Sequence, residues 1–236
     1  MQAAIQNQTL IQKLYNLQGT LHFLRFIKNP QDTKGIIKMV RSFRNSAPSD
    51  VVEKIIGPIL EKTNLQQDFD DRVWHHHPKM AELSKYPEGS FGHEAYLFFK
   101  NNNLDENLFP KADFSDVPNY ISSRVYQTHD FWHVLTGYSI NLEDEMALQA
   151  FSVGQYKQPT GMTIIAGGII HMMQSHPERS YMIMNAITEG YERGLKAKLL
   201  LNINIFQYLE WPLEDVRKEL NILPRTRSFE VHPVSA

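Results

Sequence analysis

Cysteine is absent from all 236 residues. Disulfides, thiolate metal ligands and thiol nucleophiles are therefore excluded, and the chain suits a reducing compartment. A surplus of charge is missing as well. There are 24 lysines and arginines against 26 acidic residues, so the chain as a whole has no nucleic-acid footprint. No apolar run is long enough to span a membrane as a helix; the nearest, residues 162–173, is short and contains Gly167, Gly168 and His171. The first twenty residues lack the continuous apolar region and small-residue cleavage site of a secretory signal. Internal repeats, low-complexity tracts and clear linkers are lacking too. What is present is a hydrophobic fraction of 42%, ordinary for a chain with a real core.

Most of that apolar content recurs at helical spacing. Leu10, Leu14, Leu17, Leu21 and Leu24 mark a helix over 6–27, which Pro30 ends. A second helix is expected from Thr33 or Lys34 to Ser46, with Ile36, Ile37, Val40 and Phe43 inward. Ser49 or Asp50 caps a third, kinked or broken at Pro58. Residues 61–90 read as polar and irregular, and include His75, His76 and His77. Residues 89–103 return to helix, and 104–117 form a loop before Pro118, which suits a first helical turn. The next helix ends at Gly137, and Asn141 opens another that Pro159 stops. Residues 164–170 read as a short helix or a strand, and 178–207 as one long helix with Gly190 and Gly194 inside. Pro212 starts the last helix, with Leu213, Val216 and Leu220 inward. The expected fold class is all-α, a single-domain helical bundle over residues 1–236.

Charge is uneven near the start. Lys13, Arg25, Lys28, Lys34, Lys38, Arg41 and Arg44 face a single acid, Asp32, in residues 1–49. With Leu21, Leu24, Phe26 and Ile27 nearby, this reads as a basic amphipathic face for an anionic membrane, as a transit peptide, or as a solvated helix pair over the core.

The chemistry concentrates in His129, Asp130 and His133, followed after eleven residues by Glu145. A helix turns about 100° per residue, which puts His133 at roughly 40° and Asp130 at roughly 100° from His129. All three fit one arc, and Glu145 can swing back from a second helix. Its place in the first turn, at the positive end of the helix dipole, would also suit a structural glutamate. Two imidazoles and two carboxylates without sulfur suit zinc in an exchangeable mode, and also manganese, iron(II) or magnesium. Asp130 is either a direct ligand or an orienting group for His133. A zinc-peptidase reading is weak, because Asp130 is one methylene shorter than the glutamate of that motif.

Nearby residues carry smaller expectations, each with a bland counterpart. Arg124 is read as a carboxylate or phosphate clamp or a surface ion pair. Tyr126, about 60° from His129 on the wheel, is a candidate for the pocket. Gln149 lines the pocket or is solvated. The His75–His77 run reads as an exposed loop, and His171 as a satisfied core histidine.

The motif and its flanks together resemble the Coq-four family, the fourth coenzyme Q biosynthesis protein. The segment 86–96, with Tyr86, Pro87, Gly89, Ser90, Gly92 and Tyr96, is similar to a family segment. So are Tyr120, Arg124 and Gln127 before the histidines, Phe151, Gln155 and Pro159 after Glu145, residues 209–222, and residues 26–30. The resemblance covers about residues 20–222.

It implies zinc as the metal, held by His129, Asp130, His133 and Glu145, with Glu145 and Asp130 in catalysis. It implies action on a polyprenylated hydroxybenzoate, with oxidative loss of the ring C1 carboxylate and its replacement by hydroxyl. Arg124, Tyr126 and Gln149 are candidate substrate contacts, and Ile164, Ile165, Ile169 and Ile170 candidate walls for the prenyl tail. The other reading it permits is a non-catalytic prenyl-lipid carrier or scaffold. Expected partners are a polyprenyl lipid or prenylated quinone precursor, a membrane surface, other quinone-biosynthesis proteins and a second copy in a homodimer; nucleic acid is not among them. With no evident removable presequence, the expected place is the bacterial cytoplasm, peripheral to membrane. The alternative is the matrix side of the mitochondrial inner membrane.

Overall fold

The computed structural model describes residues 8–105 and 111–226. The expected helix start at Gln6 and the middle of the expected 104–117 loop lie outside the described residues. Helix α1, Leu10–Lys28, starts with a reciprocal cap: Thr9 Oγ1 accepts from Gln12 N at 3.2 Å and Gln12 Oε1 accepts from Thr9 N at 2.8 Å. Helix α2, Thr33–Ser46, is capped by Asp32 and folds back on α1. Helix α3, Ser49–Leu60, continues through Pro58, two residues from its end, and starts after Pro48 rather than with a side-chain cap. The stretch expected to be irregular holds two short helices, α4 (Leu65–Asp70) and α5 (Met80–Leu83). Helix α6 is Phe91–Asn101, capped by Ser90.

The second half carries the centre of the molecule. Helix α7, Val117–Thr136, begins with Asp116 accepting from Asn119 N at 2.7 Å and ends at Gly137, whose φ of 74° is the left-handed conformation glycine adopts freely. Helix α8, Leu142–Tyr156, begins where Asn141 Oδ1 accepts from Asp144 N at 2.8 Å. Pro159 opens α9, Pro159–Ser175, which settles residues 164–170 as helix rather than strand. Helix α10 is Ser180–Lys196 and α11 is Leu213–Glu219. Among the described residues there is no strand, only an isolated bridge between Ser90 and Pro212, so the chain is all-α as expected.

The long helix expected over 178–207 is a correction. It stops at Lys196 and gives way to the 3-10 turns Leu200–Asn202 and Ile205–Tyr208. The reason is tertiary. Gln155 Nε2 donates to the carbonyls of Gly194 and Ala197, Gln155 Oε1 accepts from Leu200 N, and Asn221 Nδ2 donates to Lys196 O. These side chains satisfy the terminal groups that further helix would have used.

Two clusters form the core. The larger gathers Phe91 and Phe99 of α6, Phe131, Trp132 and Leu135 of α7 and Leu148 and Phe151 of α8. The smaller joins Phe26, Met39, Met146, Ile164, Met172 and Ile183 from five helices. Helices α8 and α10 approach backbone to backbone: a methyl at Gly190 or Gly194 would fall inside contact distance of the Ala147 or Phe151 carbonyl. The leucines of α1 mark a helix as their spacing predicts, but they do not face the core. Leu10, Leu14, Leu17, Leu21 and Leu24 are 49–76% exposed, whereas Phe26 and Ile27 are buried.

Candidate metal centre

Helix α7 carries three of the four motif side chains, and its last turn is unusually well held. Arg217 donates to the carbonyls of Leu135 and Val134, both at 2.9 Å, Arg193 to Thr136 at 2.8 Å and Arg225 to Gly137 at 3.2 Å. Three guanidiniums thus satisfy carbonyls that a helix end leaves without partners and complement its negative dipole end.

His129, Asp130 and His133 each offer one ligand atom, all within 4.8 Å of one another, a group compatible with a divalent metal. Glu145, in the first turn of α8, faces both imidazoles: Oε1 is 3.3 Å from His133 Nε2 and Oε2 is 3.8 Å from His129 Nε2. His133 is 1% exposed, and its ring stacks on Phe98 with centroids 5.4 Å apart. Its Nδ1 donates to the Tyr138 carbonyl, which leaves Nε2 turned to the site. A nitrogen and oxygen donor set of this kind fits a metal of the zinc, manganese, iron(II) or magnesium group.

Electrostatics follow the burial. Desolvation alone would lower the His133 pKa, but the Glu145 carboxylate outweighs it and raises the pKa above the ordinary value. Glu145 shows the counterpart: burial favours its neutral acid, yet His133 holds it below the usual carboxylate range. Burial and the neighbouring His133 push His129 down, and burial pushes Asp130 up. His133 and Glu145 therefore favour each other's charged forms, and His133 Nε2 would have to be free of its proton to hold a metal ion.

The four residues line one cavity of about 530 Å³, together with Tyr126, Ser122, Arg41, Arg44 and Lys111. An adjoining lobe of about 220 Å³ shares His129, Glu145 and Tyr126, and is walled by Phe26, Ile36, Ile37, Met146 and Ile164; Gln149 reaches it as well. Burial raises the Tyr126 phenol pKa, although Arg44 and Arg41 pull the other way.

Other expected residues lie elsewhere. Arg124 is 2% exposed and lines neither lobe; Nη1 donates to Tyr120 Oη at 3.3 Å and stands 4.0 Å from Asp68. Of the four isoleucines, only Ile164 lines a lobe. Ile165 and Ile169 pack on the smaller core cluster and Ile170 is exposed. His171 Nδ1 donates to Ile27 O at 2.6 Å. His76 pairs with Glu82, while His77 is half-buried against Phe131 and Phe206, so only part of that run is exposed loop. Sequence reasoning passed over Arg41, Arg44 and Ser122 as cavity residues. The basic run that contains both arginines was the only signal, and it reads as a membrane face.

The comparisons agree with the motif. The chain is 28% identical over 172 residues to the mitochondrial ubiquinone biosynthesis protein COQ4 of Saccharomyces cerevisiae, covering 69% of this chain and 51% of that one. It is 31% identical over 159 residues to the mitochondrial COQ4 homolog of Nematostella vectensis, covering 63% and 73%. The chain thus spans about half the length of the yeast relative it matches. A crystal structure of a putative ubiquinone biosynthesis protein from Nostoc punctiforme shares the fold, with a TM-score of 0.75 and 20% identity over 88% of this chain and 98% of that one. The family model described as coenzyme Q (ubiquinone) biosynthesis protein Coq4 matches residues 39–226, and the chain belongs to that family.

Proposed function

We propose that the chain is an enzyme of ubiquinone-type quinone biosynthesis that removes the C1 carboxylate of a polyprenylated hydroxybenzoate and puts hydroxyl in its place. Family membership supports the pathway. The observation that carries the chemistry is the junction of two environments. A cavity that gathers the charged side chains, among them Asp130, Glu145, Arg44 and Lys111, adjoins a lobe walled by Phe26, Ile36, Met146 and Ile164, and the two share His129, Glu145 and Tyr126. An aromatic acid with an isoprenoid tail has the same division into polar head and apolar tail.

In this reading the residues divide the work. His129, Asp130, His133 and Glu145 hold a divalent ion, with zinc favoured, and the ion supplies Lewis-acid stabilisation of negative charge on the head group. His133 is oriented by the Tyr138 carbonyl, and Phe98 shields it from water. Tyr126 and Gln149 border the head and the start of the tail. Arg124, bonded to Tyr120, supports helix α7 instead of touching the substrate. The overall change breaks the bond from C1 to the carboxyl carbon and forms a bond from C1 to oxygen. It is a two-electron oxidation: the acid, water and dioxygen give the phenol, carbon dioxide and hydrogen peroxide, with water supplying the new hydroxyl oxygen and dioxygen taking the electron pair. The yeast and Nematostella relatives are named as mitochondrial, which favours the mitochondrial location over the bacterial cytoplasm. No helix among the described residues is long and apolar enough to cross a membrane. A peripheral position beside other quinone-biosynthesis proteins completes the proposal.

The test is turnover. Purified protein with a short-tailed prenyl-4-hydroxybenzoate, dioxygen and a divalent metal is expected to release carbon dioxide and yield the C1 phenol. Glu145→Gln should bind the tail yet lose turnover. Tight lipid binding without turnover under any metal would replace this reading with the non-catalytic carrier.

A further inference from the structure

We propose that Arg44, with Arg41 beside it, holds the phenol oxygen of the substrate ring as a phenolate while the metal-ligating residues take the carboxylate at the ring's opposite end. This rests on the substrate class proposed above.

Arg44 is half-buried in the wall of the 530 Å³ cavity that contains the metal-ligating residues. Among the described residues its hydrogen bond to the protein is from Nη1 to Ser122 Oγ, at 3.0 Å. The arginine ion pairs of the described residues include neither Arg41 nor Arg44. Two carboxylates line the same cavity, Asp105 and Asp113; the Asp113 Oδ1 accepts from both the amide and the hydroxyl of Ser115, and its carboxylate feels the charges of Arg44 and Arg41 without pairing directly with either. A guanidinium in a partly desolvated wall, with one donor used on Ser122, has the remaining fork of donors suited to an oxyanion.

Its position relative to the metal residues follows from helix α7. Ser122 precedes His129 by seven residues, so the two lie on one face, two turns and about 10 Å apart. The Arg44 head, held at Ser122, and the imidazole of His129 thus stand about two helical turns apart along one cavity, a span on the scale of a para-substituted benzoate. A benzoate with a para hydroxyl has oxygen at both ends. A divalent ion on carboxylate and imidazole ligands takes the carboxylate readily, which leaves the hydroxyl to the arginines. A cation at hydrogen-bond distance favours the ionised phenol, whose proton passes to water. The phenolate's charge delocalises onto the para carbon. That carbon bears the carboxylate, and it is where carbon–oxygen bond formation must occur. Arg44 would thus be a substrate-binding group that activates the reacting carbon from the far side of the ring.

The experiment reads the ligand's own ionisation. 3-Farnesyl-4-hydroxybenzoic acid and its 4-methoxy ether are bound to the full chain, with and without added zinc. The phenolate absorbance is followed against pH. In wild type the bound phenol should titrate at least one pH unit below the free ligand. Arg44→Gln should return it to the free value, and Arg44→Lys should keep part of the shift. Affinity for the phenol should fall at least tenfold in Arg44→Gln, while affinity for the ether changes less than twofold. Arg41→Gln, at an exposed position, should move the titration in the same direction by less, and it keeps the test decisive should Arg44→Gln not fold.

An unshifted phenol in wild type, or a shift unchanged in both glutamine variants, overturns the proposal. So does an ether that loses as much affinity as the phenol, because Arg44 would then grip the carboxylate. Farnesyl phosphate binding more tightly than the acid, and through Arg44, overturns it in favour of a phosphate site. A phenolate shift without release of carbon dioxide supports this inference and overturns the enzymatic reading. Release of carbon dioxide without a shift does the reverse.

Discussion

His133 Nδ1 lies 3.1 Å from the Tyr138 carbonyl oxygen, five residues on and around the corner at Gly137. A carbonyl can only accept, so Nδ1 carries a proton in every state of the ring and Nε2 is the atom that changes. The backbone at the end of α7 therefore leaves Nε2 as the nitrogen free to accept and turns it toward Glu145.

From this follows the first expected outcome. The purified chain should carry about one divalent ion per chain. His133→Ala should abolish stoichiometric binding while circular dichroism shows most helix retained. Elemental analysis giving full occupancy in both His129→Ala and His133→Ala would end the assignment.

The exposed stripe of Leu10, Leu14, Leu17, Leu21 and Leu24 stands next to exposed Arg25, Lys28, Lys34 and Lys38. Such a face should bind anionic vesicles, with each basic residue adding about 1 kcal/mol at most. Changing those four cations to glutamine should lower co-sedimentation and its sensitivity to salt. Equal binding to neutral and anionic vesicles would remove the electrostatic part.

Packing of α8 on α10 gives a stability test with an internal control. Gly190→Ala must push the helices apart and should cost about 1–3 kcal/mol, or roughly 2–4 °C of melting temperature per kcal/mol. Because α8 carries Glu145, metal affinity should fall too. Gly57→Ala in α3 meets nothing within 4 Å and should stabilise by about 0.4–1 kcal/mol. Equal melting temperatures for the two variants would contradict the close approach.

Tyr138 supplies a pH prediction. Burial pushes its phenol from 10.0 up to about 12, although Arg193 and Arg225 lie over its ring. The native state thus holds this proton more tightly than the unfolded chain does. The contribution is fully present below pH 10 and is lost as pH rises toward 12, amounting to no more than about 3 kcal/mol. Denaturation by urea across that window should show a smaller loss of stability in Tyr138→Phe than in wild type. Identical slopes would refute it.

What was legible in the chain was local. The spacing of His129, Asp130 and His133 needs only helical geometry, and Gly137 and Asn141 mark the turn that brings Glu145 back. Periodicity identified α1 as a helix but could not say which face it buries; its leucines face outward because Phe23, Phe26 and Ile27 make the contacts with neighbouring helices. The end of α10 was hidden because Gln155 and Asn221, both distant in sequence, set it. Arg44 was hidden for the same reason. Its partner Ser122 lies 78 residues away, and nothing in a run of basic residues says that Arg44 is the half-buried one.

The guanidiniums of Arg193, Arg217 and Arg225 close the last turn of α7, so residues far along the chain complete a turn made earlier in it. During synthesis His129, Asp130, His133 and Glu145 all leave the ribosome before any of those arginines. Until they arrive, the carbonyls of Val134, Leu135 and Thr136 are without these donors and the turn bearing His133 can fray. The order of translation would thereby leave His129, Asp130, His133 and Glu145 beside an open helix end until those arginines have been made.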